Sequence, residues 1–191
     1  MTRVFSFVTV IGVAVLLAAC SPAPRDVTQD DINMLARQIR NLSPEVDPAE
    51  ADRAAFIAYT YSLQLAEEYN VTDNPIIHNA KVNNGWRARG LCVHWAEDIE
   101  KRLNAEGFQT LEMHRAIAEG SELRIDHSTA IISARGDTMN DGVVLDPWRT
   151  GGLLYWSRTL DDQRYFWEPQ QLVLERKYQA KLERKGGPAP D

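Results

Sequence analysis

Residues 90–103 read GLCVHWAEDIEKRL and residues 123–148 read LRIDHSTAIISARGDTMNDGVVLDPW; these two stretches decide the fold class. In the first, Trp95, Ala96, Ile99 and Leu103 recur at helical spacing, so a helix starts close to Cys92, and Gly107 supplies its stop. In the second, Leu123, Ile125, His127, Thr129 and Ile131 share one parity. That alternation marks a strand with His127 on its mainly apolar face. Ser133 to Asn140 is turn-rich, and Gly142 to Trp148 is a second short strand stopped by Pro147. The expected fold class is α+β, with N-terminal helices and a central helix packed on an antiparallel sheet.

A hairpin closed symmetrically about Gly136 and Asp137 pairs Ile132 with Asp141, Ala130 with Val143 and His127 with Asp146. Opposed residues on one face have Cβ atoms about 4.5–5.5 Å apart, so the carboxylate would fix the imidazole tautomer and stabilise the imidazolium. Asn140-Asp141-Gly142 is itself a turn signal, and a bulge there would move Asp146 to the other face. Of the competing carboxylates, Asp126 should point away from His127 and Asp137 should sit at the turn tip.

The chain has 191 residues, 44% apolar and 25% charged, with a formal net charge of -6. Those figures exclude a disordered or fibrous chain, and the acidic balance argues against nucleic acid as a partner. Asp31 to Leu42 and Pro48 to Tyr69 have helical periodicity, with Asp47-Pro48 a helix opening. Phe56, Tyr59, Tyr61, Leu63 and Leu65 give the second of these a wide apolar face. Leu153 to Trp156 reads as another strand, and Pro169 to Lys185 as a charged helix. Tyr165-Phe166-Trp167 is an aromatic cluster suited either to core packing or to the wall of a cleft.

Val4 to Ala19 is an uncharged apolar run behind Arg3, too short for a membrane span and of the length of a signal-peptide core. It ends Leu17-Ala18-Ala19-Cys20, which resembles the lipobox of bacterial lipoproteins. That resemblance implies cleavage before Cys20, diacylation of its sulfur and attachment to an envelope membrane. Ser21, in place of the Asp of inner-membrane retention, implies an outer-membrane anchor facing the periplasm. The expected division is a leader over 1–19, a lipidated linker over 20–27, one domain over 28–185 and a tail over 186–191.

With Cys20 lipidated, Cys92 is left without a disulfide partner. A leftover thiol outside the cytoplasm flags reactivity or intermolecular pairing, although free cysteine also packs as a small hydrophobe. At a helix N-terminus a thiol meets the positive end of the macrodipole, and free backbone donors there can receive an oxyanion. Arg87 and Arg89 are solvated loop charges or supports for a thiolate. Of four histidines, His78 has no distinctive partner and His94 points about 200° away from Cys92 on the same helix. His114 reads as an exposed strand residue. No HxxxH or CxxC pair supports a zinc site.

Gly90-x-Cys92-x-x-Trp95-Ala96 at a helix start, then a strand His127, then Leu145-Asp146-Pro147-Trp148, resembles the core of transglutaminase-like cysteine enzymes of the papain-like group. The separations are 35 residues from Cys92 to His127 and 19 from His127 to Asp146, and the resemblance spans about one third of the chain. It implies Cys92 as nucleophile, His127 as general base and then acid, and Asp146 as its orienting partner, with no cofactor or metal. The implied reaction is acyl transfer from an amide through a thioester, on a peptide, protein or peptidoglycan-type substrate. Asn83 and Asn84 are candidate oxyanion donors. NlpC/P60-type peptidases share the Cys–His layout but usually carry another polar residue, often His, third. The alternative from a different class is an envelope lipoprotein that uses the same fold for binding or assembly.

Overall fold

The computed structural model describes residues 26–120, 125–184 and 186. Cys20 and the apolar run before it lie outside the described residues, as do Leu123 and most of the residues after 185. Among the described residues, five helices and a five-stranded antiparallel sheet form an α+β fold: α1 (Gln29–Arg40), α2 (Pro48–Glu68), α3 (Pro75–Asn83), α4 (Cys92–Asn104), β1 (Leu111–Ala118), β2 (His127–Ala134), β3 (Val143–Asp146), β4 (Tyr155–Arg158), β5 (Glu168–Pro169) and α5 (Gln170–Arg184). The strand order is β4-β3-β2-β1-β5, which makes β2 the middle strand. No described helix is long and apolar enough to cross a membrane.

Local chemistry sets the helix starts. Thr28 and Asp31 form a reciprocal capping box on α1. Asp47 accepts from Ala49 N at 2.8 Å with Pro48 at the first position of α2, as the sequence implied. Asn74 caps α3 in the same manner, accepting from Ile77 N at 3.0 Å. Helix α4 has no side-chain oxygen at its cap. The His94 ring closes it instead, with Nδ1 accepting from Gly90 N at 3.1 Å and Leu91 N at 3.3 Å.

Helix α4 buries Trp95, Ala96, Ile99 and Leu103, the four positions its sequence periodicity picked out. Trp95, Ile99 and Leu103 join one core cluster with Ala130, Ile132, Ala134, Val143 and Leu145, which line one sheet face. Behind them α1 and α2 add Leu35, Ile39, Ala51, Ala54, Ala55, Ala58 and Leu65, the alanines letting the two helices approach closely. Each fully buried Leu or Ile contributes about 1.5–3 kcal/mol relative to exposure. The other sheet face carries a smaller cluster, Ala116, Ala118, Ile131, Met139, Val144 and Trp167.

The hairpin register differs from the expected one. Ala130 pairs with Leu145, Ile131 with Val144 and Ile132 with Val143, so each partner lies two residues beyond the expected one. The cause is a 3-10 turn over Met139–Asp141, which takes the Asn140-Asp141 turn signal out of the ladder. A two-residue offset keeps side-chain parity, so His127 and Asp146 still share a face. The described part of β2 also begins at His127 rather than earlier, with Ile125 exposed before it.

Candidate active site

His127 is the first residue of β2 and Asp146 the last of β3, so both lie at one end of the sheet. The ladder sets Asp146 diagonally across from His127, a spacing that long side chains bridge. His127 Nε2–H donates to Asp146 Oδ2 at 2.6 Å, and neither side chain is exposed. Because an ionised carboxylate only accepts, this bond places the proton of neutral His127 on Nε2 and leaves Nδ1 as the acceptor.

Nδ1 is buried and has no hydrogen-bond partner among the described residues, and Cys92 lies close enough to the ring to favour its charged form. Cys92 opens α4, whose N-terminus meets the start of β2; its Sγ lies 3.9 Å from the Asp126 carbonyl oxygen. Burial opposes charge on His127, while the Asp146 carboxylate and, after it, the Cys92 side chain favour the imidazolium. The balance pushes the His127 pKa up to about 9.

Three aromatic rings box in the imidazole. Trp148, Tyr165 and Trp167 have ring centroids 4.6, 4.5 and 5.4 Å from that of His127. The small Ala118 opposite His127 on β1 leaves that face open to them. Of the aromatic run read from the sequence, Tyr165 and Trp167 thus pack at the site, whereas Phe166 is 83% exposed. Trp148 is fixed in turn by Asn79, to whose Oδ1 it donates at 3.0 Å.

No family model, curated protein or solved structure matches this chain.

The remaining sequence candidates separate cleanly. Asp126 points away from His127 as expected, accepting from Gly120 N and from Lys177. Arg89 ion-pairs with Asp98 at 2.9 Å, and Arg87 donates to the carbonyls of Asn70 and Trp86, so both guanidiniums are engaged away from the thiol. Asn84 spends its amide on the Ala80 carbonyl at 2.7 Å, and Asn83 is exposed at the end of α3. The backbone N–H of Cys92, at the first turn of the helix, has no intrahelical acceptor and is the available oxyanion donor.

Two histidine readings are corrected. His78, read as lacking a distinctive partner, is 1% exposed on α3 and donates from Nε2 to the Arg89 carbonyl at 3.0 Å. It thereby pins the turn that enters α4. Gly90 adopts φ +120°, and a Cβ there would sit 2.2 Å from His78 Nε2, so only glycine allows this contact. His114, read as exposed, is half-buried, with Nε2 2.8 Å from Ser133 Oγ. Among the described residues no group of three His, Cys, Asp or Glu is arranged to hold a metal ion.

Sequence reasoning missed the residues behind Asp146. Arg149 donates from Nε to Asp146 Oδ2 at 3.0 Å and from its backbone N to Oδ1 at 3.2 Å. Its fork also grips Asp162, with contacts of 3.2 and 2.7 Å. The only sequence signal was the Gly151-Gly152 pair that turns the chain directly after it.

Proposed function

We propose that this chain is an envelope lipoprotein, anchored through Cys20, whose domain is a transglutaminase-like cysteine hydrolase or acyltransferase. One observation carries the reading: Asp146 holds His127 through Nε2, which leaves the buried Nδ1 unpartnered on a ring that Cys92, at the start of α4, acts on electrostatically. In that role His127 already carries the Cys92 proton as the imidazolium, and the thiolate sulfur attacks an amide carbonyl. The backbone N–H of Cys92 receives the oxyanion. His127 then returns the proton to the leaving amine, which departs and leaves a thioester on Cys92. Water or a second amine, deprotonated by His127, attacks the thioester and releases the thiol. Burial of the His127–Asp146 pair behind three aromatic rings supports this reading, because it keeps water from competing for the carboxylate.

Alkylation with iodoacetamide tests it. Cys92 should react at pH 6–7 at least tenfold faster than a free cysteine thiol, and His127→Ala should abolish that excess. Alkylation at the free-thiol rate in the wild-type protein would leave a non-catalytic binding or assembly module.

A further inference from the structure

We propose that Arg149 is a positioning residue for the triad, fixing the carboxylate that orients His127; this rests on the reading of Cys92, His127 and Asp146 given above. Arg149 is the one described residue that holds both oxygens of Asp146, Oδ2 through Nε and Oδ1 through its backbone N. Oδ2 is the same oxygen that accepts from His127, so rotation of the carboxylate is blocked from both sides. Arg149 cannot drift, because its two terminal nitrogens are held by the two oxygens of Asp162. Asp162 is itself fixed, accepting from Trp167 Nε1 at 2.9 Å and Arg164 N at 3.0 Å. The Tyr155 ring lies 3.8 Å from the guanidinium carbon and the Tyr165 ring 4.8 Å from it.

The arrangement exceeds what an isolated ion pair requires. Side-chain exposure is 6% for Arg149 and 0% for Asp146 and Asp162, so the charges must compensate one another. Arg149 cancels one carboxylate; the imidazolium of His127 cancels the other. Tyr165 and Trp167 each touch both His127 and this second layer, so the imidazole and Arg149 are held by one packed unit. The charged or titratable groups around His127 are Asp146 on β3, Cys92 on α4 and Tyr165 ahead of β5. One step further lie Arg149, Asp162, Arg164 and the Asp126–Lys177 pair.

Opposite charge changes test the inference without needing a substrate. Arg149→Gln removes a cation and should raise the His127 titration midpoint; Asp162→Asn removes an anion and should lower it, each by about one pH unit for charges a residue away in a protein interior. The midpoint is read from the His127 Cε1–H resonance by NMR in the intact domain, and iodoacetamide rates are measured alongside. Arg149→Gln should also slow Cys92 alkylation several-fold, as the carboxylate loses its orientation. Where Arg149→Gln does not fold, Asp162→Asn, which keeps an oxygen for Trp167, supplies the downward shift alone. A His127 midpoint unmoved in the folded variants overturns the inference even if wild-type Cys92 reacts fast. Slow wild-type alkylation with both midpoint shifts intact overturns the enzyme reading and leaves the role of Arg149 standing.

Discussion

Replacing Asp146 with Asn should change the dependence of stability on pH as well as stability itself. In the wild-type protein burial opposes charge on His127, but the Asp146 carboxylate and the Cys92 side chain together outweigh it and push its pKa up to about 9, against an ordinary value of 6.5. A raised folded-state value stabilises fully below the unfolded midpoint and is lost as pH rises through the folded one. The interval corresponds to about 3 kcal/mol, present at pH 6 and mostly gone by pH 10. In Asp146→Asn the larger attraction is absent, and burial, opposed only by the weaker pull of Cys92, disfavours the imidazolium. The stability gap between wild type and variant should therefore be largest at pH 6 and narrow by about 3 kcal/mol at pH 10. With a urea slope of about 2 kcal/mol per molar, the gap between unfolding midpoints narrows by about 1.5 M. Titrations of Lys and Tyr are common to both proteins and cancel in the difference. A gap that stays constant from pH 6 to pH 10 would refute the claim that a charged His127–Asp146 pair exists in the folded protein.

Gly90→Ala should cost about 3 kcal/mol or more and lower the thermal midpoint accordingly, since the added Cβ collides with His78 at a backbone angle disfavoured for alanine. The same variant should slow Cys92 alkylation by tilting the entry to α4. Glu50→Ala should cost about 2 kcal/mol in urea unfolding, because it strands Gln109 N and Thr110 N, now bonded to the carboxylate at 2.6 and 2.8 Å. Burial pushes the Glu50 carboxyl up, but hydrogen bonds from Thr110 and Gln109 and the nearby Arg53 hold it below its ordinary value. The cost should accordingly be present above the usual glutamate range and shrink as pH falls through the folded value.

What could be read from the sequence follows from periodicity. The stripe on α4 and the parity of β2 are repeated signals, and they correctly put His127 and Asp146 on one face. Their register was not legible, because the 3-10 turn at Met139–Asp141 obeys no repeat and only the loop decides how many residues it absorbs. Helix α3 was hidden for a different reason. Its pattern is inverted, with His78 and Asn79 buried while Ile76 and Ile77 are 60% and 47% exposed. An apolar-stripe reading looks for the opposite. The pairing of Arg149 with Asp162 joins two irregular segments 13 residues apart, where neither helical nor strand spacing operates. Buried charges of that kind become visible only once the chain has turned back on itself.

The segment from Asp146 to Gly152 leaves no slack. Gly152 N bonds back to Pro147 O at 2.8 Å and Gly151 N to Trp148 O at 3.0 Å, while both glycines take positive φ. Within that single curl lie the imidazole's acceptor, the indole tilted against the imidazole and the guanidinium behind it. One inserted residue would unseat all three together, whereas the surface turn over residues 136–138 could lengthen with each of them undisturbed. Tolerance to changes in chain length is thus distributed very unevenly along this half of the protein.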